Sequence, residues 1–205
     1  MQVLKKGSRG NDVKTLQHCL HLYEDGIFGT MTEESVKAFQ REHGLLADGI
    51  VGDKTWALLL KDKDMLVKSK RKISEIIVHC TATPEGRATT IAEIRKWHKE
   101  KGWSDIGYHY VVMLDGSVSN GRDVNISGAH CEGHNSVSIG VCYVGGVGRD
   151  GKTAKDTRTP AQKYALLQLL KKLKALYPTA KIYGHRNFSS KACPSFDAKE
   201  EYKNI

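Results

Sequence analysis

Residues 76–83 read IIVHCTAT, and this short run sets the architecture of the larger part of the chain. Ile76–Val78 is almost wholly apolar, as a strand inside a sheet with both faces covered must be. It runs out on His79, a metal-competent side chain at a strand end. Further along, Thr90 and Glu93 have capping-box spacing for a helix that carries Ile94 and Trp97 and runs down to Gly102. Tyr108–Leu114 and Ser117–Asn120 flank Asp115-Gly116, a hairpin turn dipeptide. Ser138–Val144 is another β-rich run. Thr159, Pro160 and Gln162 then open the clearest helix in the chain. Leu166, Leu169, Leu170, Leu173 and Leu176 supply its buried face, and Pro178 stops it. Lys181–Gly184 is a last short strand. The pattern predicts an α/β domain over residues 73–205, with a mixed central β-sheet flanked by helices.

The first 60 residues are different. Val13, Leu16, Gln17, Leu22, Asp25, Gly26, Gly29 and Thr32 recur 23 positions later as Val36, Phe39, Gln40, Leu45, Asp48, Gly49, Gly52 and Thr55. Each unit reads as a helix carrying VxxLQ or VxxFQ, then a DGxxG turn whose glycines allow positive φ. Thr30 and Glu33 have capping-box spacing for the second helix, Gly44 can end it, and Trp56 belongs to a third helical piece. A small all-α three-helix domain over residues 1–60 is expected. Residues 61–72, KDKDMLVKSKRK, carry six basic and two acidic side chains and read as a solvated linker.

The net charge of +9 is uneven: residues 1–60 hold seven basic and eight acidic side chains, so the rest carries +10. A basic domain suits a polyanion such as nucleic acid, anionic lipid or an acidic wall polymer. No helix shows three or four Arg/Lys on one face and no zinc-finger spacing occurs, so nucleic acid is not the expected ligand. No stretch approaches the roughly 18 apolar residues that span a bilayer. The start, MQVLKKGSRG, lacks the apolar run of a secretory signal peptide. Five cysteines, odd in number and without a CxxC pair, argue against a disulfide scaffold. Cys19 and Cys142 read as small buried hydrophobes.

Three side chains could ligate a metal: His79 after the IIV strand, His185 after AKIYG, and Cys193 eight residues on. Adjacent strands could join the two histidines, and the following loop could bring the cysteine back over them. Two imidazoles and a thiolate fill three positions around Zn²⁺ and leave the fourth for water, as hydrolysis requires. Spacing alone leaves other triples open among nine histidines and five cysteines. His18, His21 and His43 fall in the first domain's solvated helices, and His98 and His109 read equally well as structural.

The second domain resembles the type 2 N-acetylmuramoyl-L-alanine amidases, the superfamily of phage lysozymes and animal peptidoglycan recognition proteins. The resemblance runs through IIVHCTAT, WSDIGYHYVVMLDGSV, GAHCEGHNSVSIGVCYVGG, TPAQ and KACPSFD, over about residues 73–197, and lies nearest the phage branch. It implies one Zn²⁺ per chain on His79, His185 and Cys193, with Tyr108 and Lys191 as catalytic residues beside it. Lys191 would stabilise the oxyanion on the cleaved amide, and Tyr108 would donate to it or orient the attacking water. His130 and Asn135 would line the substrate groove, and Asp197 would support a ligand histidine from behind.

The first domain resembles the three-helix peptidoglycan-binding domain, through DGIFGTMTEESVKAFQREHGLLADGIVGDKTW. That implies wall binding near Asp25, Gly26, Phe28, Asp48 and Gly49. Together the two resemblances imply a phage or prophage endolysin that cuts the lactyl–L-alanine bond of peptidoglycan. It would be a monomer without membrane insertion, made in the bacterial cytoplasm and released to the wall at lysis; an exported enzyme is the other route. The competing class is a non-catalytic peptidoglycan binder, against which the retained ligand set argues. A glycosidase would need paired carboxylates on a glycan cleft and would release reducing sugars.

Overall fold

The computed structural model describes residues 2–20, 22–61 and 66–205; His21 and residues 62–65 of the expected linker lie outside them. The chain divides into two compact units, Met1–Leu66 and Val67–Ile205.

The first unit holds α1 (Asn11–Cys19), α2 (Thr30–Glu42) and α3 (Asp53–Lys61). Leu4, Val13, Leu16, Phe28, Val36, Val51, Trp56 and Leu59 close its core. The sequence repeat is a repeat of hydrogen bonds. Buried Gln17 donates through Nε2 to Asp25 Oδ1 at 2.7 Å and to the Ile27 carbonyl, and its Oε1 accepts from the Gly26 N–H. Gln40 does the same to Asp48 Oδ1 at 2.9 Å, the Ile50 carbonyl and the Gly49 N–H. The glutamine of each unit thus brackets its own DG turn, and Gly26 and Gly49 take φ of 74° and 75° there. One cap differs from expectation. Thr30 lies inside α2, whose N-cap is Gly29 without a side-chain bond, because Glu33 pairs instead with Lys6 and Lys37.

The second unit is a five-stranded sheet in the order β4-β3-β5-β1-β7, with helices packed against it. Its elements are β1 (Glu75–Cys80), β2 (Thr83–Pro84), α4 (Ile91–Glu100), β3 (Tyr110–Val112), β4 (Val118–Asn120), β5 (Ser138–Tyr143), β6 (Gly146–Val147), α5 (Pro160–Leu176), β7 (Lys181–Gly184) and α6 (Ala198–Glu201). β1 is an interior strand, parallel to β5 on one side and β7 on the other, and Ile76–Cys80 are all buried. The β3–β4 hairpin is the one antiparallel pair of that sheet, so the sheet is mixed. Both capping boxes form, Thr90 with Glu93 and Thr159 with Gln162, with Pro160 opening α5. Buried Gln162 also reaches the sheet, donating to the carbonyls of Val112 and Val144.

The segment read as a linker is not all solvated. Ser69 is buried, its N–H donating to the Tyr177 hydroxyl at 2.6 Å and its hydroxyl to the Val124 carbonyl. Arg71 donates to the carbonyls of Val124, Asn135 and Ser138. Its five-donor fork collects carbonyls from one long loop, a use of basic side chains that charge counting cannot separate from solvation.

Candidate metal centre and cleft

The parallel β1–β7 register sets Val78 opposite Gly184, so His79, the next residue on β1, lies beside His185, the first residue past β7. Their ring centroids are 4.7 Å apart. Beyond His185 the chain makes a short 3-10 turn, held by Gly184 N–H to Asn187 Oδ1, and returns through Cys193. The return is clamped at several points. Arg186 N–H donates to the Cys193 carbonyl, the Tyr143 hydroxyl to the Pro194 carbonyl at 2.7 Å, and the Ser195 hydroxyl to the Gly146 carbonyl at 2.7 Å. Just past it, buried Arg158 lies 3.3 Å over the Phe196 ring and pairs with Asp156 and Glu201.

His79, His185 and Cys193 therefore converge, their ligand atoms all within 4.8 Å of one another. They are the one such group of three metal-competent side chains among the described residues. The Cys193 sulfur lies 3.8 Å from His79 Nδ1. Zinc bonds of about 2.3 Å to sulfur and about 2.05 Å to nitrogen, at a tetrahedral angle, require about 3.6 Å. Burial holds His79 well below the ordinary histidine value, and burial with Lys191 nearby lowers His185, so both imidazoles are neutral and able to ligate. The neighbouring Cys80 thiol and burial push the Cys193 thiol well up in the metal-free chain, with the backbone N–H of Cys80 at 3.3 Å as an opposing donor, so the charge of a bound cation is what would make it a thiolate. Geometry and donor chemistry fit a divalent metal.

Tyr108 is half-buried, its ring centroid 5.2 Å from that of His79. Burial, with Cys142, Cys193 and Cys80 close by, pushes its pKa well above the usual tyrosine value, so it stays a phenol and an O–H donor. Lys191 is exposed and lines an open cleft of 420 Å³ with Trp103, His130, Glu132, His185 and Phe188. Asn135 borders the same cleft, but its Oδ1 accepts from the N–H groups of His130 and Cys131 and so pins the loop. His130 is buried with both ring nitrogens turned inward, to His79 Nε2 at 3.0 Å and to the Ser138 hydroxyl at 3.3 Å.

Two expectations are corrected. Phe28 is 1% exposed and packs in the first unit's core, so its ring supports the turn from within and offers no surface for contact. Asp197 does not stand behind a ligand histidine; its carboxylate caps α6 by accepting from the Glu200 N–H. The hydrogen-bond partner of His79 is His130, which spacing could not reveal because 51 residues separate the pair. Asp25 and Asp48 are exposed but use one carboxylate oxygen each within their turns.

A neutral His/His/Cys cluster near the C-terminal ends of parallel strands, beside a cleft with a lysine at its rim, fits the class of metal-assisted hydrolases. The chain belongs to the N-acetylmuramoyl-L-alanine amidase family, whose model matches residues 69–196, and a peptidoglycan binding domain model matches residues 9–59. The endolysin of Klebsiella phage KP32 is 46% identical over 130 residues, covering 63% of this chain and 85% of the phage protein. Peptidoglycan-recognition protein SC2 of Drosophila melanogaster is 31% identical over 140 residues, covering 64% and 73%. Among solved structures, the N-acetylmuramoyl-L-alanine amidase LysC from Clostridium intestinale superposes with a TM-score of 0.55 at 27% identity, covering 64% of this chain and 82% of that one. The family match begins at Ser69, inside the segment that Ser69 and Arg71 tie to the second unit.

Proposed function

We propose that this chain is a phage-type endolysin, an amidase that holds one zinc ion on His79, His185 and Cys193. It hydrolyses the amide between the lactyl group of N-acetylmuramic acid and L-alanine in peptidoglycan. The observation that carries the reading is the convergence of the three candidate ligand atoms, one of which belongs to His185 on the wall of the cleft. When bound, zinc supplies Lewis-acid polarisation of the carbonyl and an activated water.

The remaining tasks fall to the chain. Hydrolysis replaces a C–N bond by a C–O bond; the carbonyl oxygen gains negative charge on the way, and the alanine nitrogen must gain a proton to leave. Lys191 brings an ammonium group to the cleft to meet the growing charge on oxygen. Tyr108, kept as a phenol, donates a hydrogen bond to that oxygen or orients the water. Trp103 and Phe188 give the cleft apolar walls against which a stem peptide can lie, and Arg71 with Asn135 keeps its loop in place.

The first unit serves as the wall anchor. With Phe28 buried and the DG turns internally bracketed, the wall contact falls to the outer surface of the turns, where Asp25 and Asp48 are exposed. One chain carries the whole catalytic set, and the unit proposed is a monomer. No helix among the described residues is long and apolar enough to cross a membrane. The proposed route, like that of a phage endolysin, is synthesis in the bacterial cytoplasm and arrival at the wall during lysis.

The test is digestion of purified peptidoglycan with assay of both products. New L-alanine amino termini without new reducing sugars, abolished by a chelator and restored by zinc, are expected. Reducing sugars, or wall binding without any cleavage, would contradict the reading.

A further inference from the structure

We propose that His130 is a positioning residue: it holds the His79 ring and fixes its tautomer, so that Nδ1 is left bare toward Cys193. The inference rests on the reading of His79 as a metal ligand, and it gives that site a device the ligand set alone does not contain.

The tautomer follows from a chain of hydrogen bonds that can run in one direction only. It ends on the His134 carbonyl, which accepts and cannot donate. Ser138 Oγ lies 2.7 Å from that carbonyl and gives it the one hydroxyl proton. Ser138 Oγ must then accept from His130 Nε2–H, 3.3 Å away. A neutral His130 with its proton on Nε2 has a bare Nδ1. That nitrogen lies 3.0 Å from His79 Nε2, so His79 must carry its proton on Nε2 and donate it. A neutral His79 protonated on Nε2 has its lone pair on Nδ1, the nitrogen 3.8 Å from the Cys193 sulfur. A backbone carbonyl three links away thus selects the ligating nitrogen.

The His130 ring also sits in a slot built for it. A Cβ on Gly128 would lie 2.3 Å from His130 Cδ2, and one on Gly140 would lie 2.5 Å from the same atom. Neither distance is tolerable, so both faces of the slot depend on glycine. His109 closes another side, its ring edge-on to His130 at 5.7 Å. It is fixed in turn, with Nδ1 accepting from the Gly140 N–H and Nε2 donating to the Ile126 carbonyl. A ring so confined borders the cleft yet has no nitrogen to offer a substrate unless this chain breaks.

The test compares the full-length protein with His130→Leu, His130→Gln and Ser138→Ala. Zinc affinity is read by chelator competition, the His79 tautomer of the metal-free protein by ¹⁵N-edited NMR of the rings, and KM on a soluble muropeptide. In wild type the metal-free His79 should be the Nε2–H form. His130→Leu should weaken zinc by about 10- to 100-fold and mix the tautomers, with KM little changed. His130→Gln should recover most of the affinity, because its amide oxygen can accept from His79 Nε2–H. Ser138→Ala should shift both readouts in the same direction as Leu, and it serves if Leu fails to fold. An Nδ1–H tautomer in wild type, or equal zinc affinity in all variants, would overturn the inference. A raised KM with unchanged affinity would also do so, returning His130 to substrate contact. If wild type binds no zinc at all, the metal reading falls, while the NMR arm still decides the tautomer.

Discussion

Val78 on β1 and Gly184 on β7 stand opposite each other in a parallel pair, and each is followed directly by a histidine. The register of two strands therefore creates the two-histidine half of the candidate metal site. Gly184 has a second duty, since a Cβ there would lie 2.8 Å from Pro194 Cδ in the loop that returns Cys193.

Gly184→Val should accordingly keep the sheet and lose the site. A β-branched residue suits the strand itself, so circular dichroism should stay α/β. The cysteine loop would be pushed outward and zinc affinity should fall at least tenfold. Unchanged affinity would mean that the loop relaxes freely and that the close approach has no role.

Lys191→Ala should keep its zinc and lose rate. Removing one donor to a developing oxyanion typically costs about 100- to 1000-fold in turnover. Zinc content and soluble-muropeptide turnover, measured on one sample, check this. Full turnover would make Lys191 an ordinary surface cation.

Deleting residues 1–66 should leave a folded enzyme. The remaining unit has its own sheet and core and retains Ser69 and Arg71, whose bonds hold the 124–138 loop. Binding to insoluble wall should fall far more than soluble turnover. Equal loss of both would show that the first unit supports the catalytic fold.

Acid should destabilise the metal-free protein before its carboxylates titrate. Burial lowers His98 and His109 to about 4, and it also lowers His79, His130 and His185. Their unfolded value is about 6.5, so below that pH the unfolded chain binds protons that the native one refuses. The stability they allow is present above about pH 6.5 and is lost as pH falls toward their folded values. Melting temperature should decline steadily between about pH 6.5 and 4.5. A flat profile there would mean that these rings are not held neutral.

Much of this was legible in the chain itself. The apolar run of Ile76–Val78, the Asp115-Gly116 turn and the boxes at Thr90 and Thr159 are local signals, and each formed its element. The α2 cap misled because Glu33 found two lysines, one of them 27 positions away in sequence. The buried half of the basic segment was hidden for the same reason: only the folded loop offers Arg71 its carbonyls. Spacing alone leaves rival triples open, so the three candidate ligands are legible only through the family resemblance. The relay behind them is not legible in the sequence, because it joins His79 and Ser138 on two strands through His130 on a loop, contacts that no linear spacing records.

Cys193→Ala with elemental analysis tests the central claim most directly. The thiolate would be the only anionic protein ligand on the ion, so its loss leaves two imidazoles and a much weaker site. Wild type should carry about one zinc per chain, and the variant should fall towards none. Release of L-alanine amino termini should disappear while circular dichroism stays α/β. Full zinc occupancy together with normal cleavage in the variant would contradict the proposed centre and the chemistry built on it.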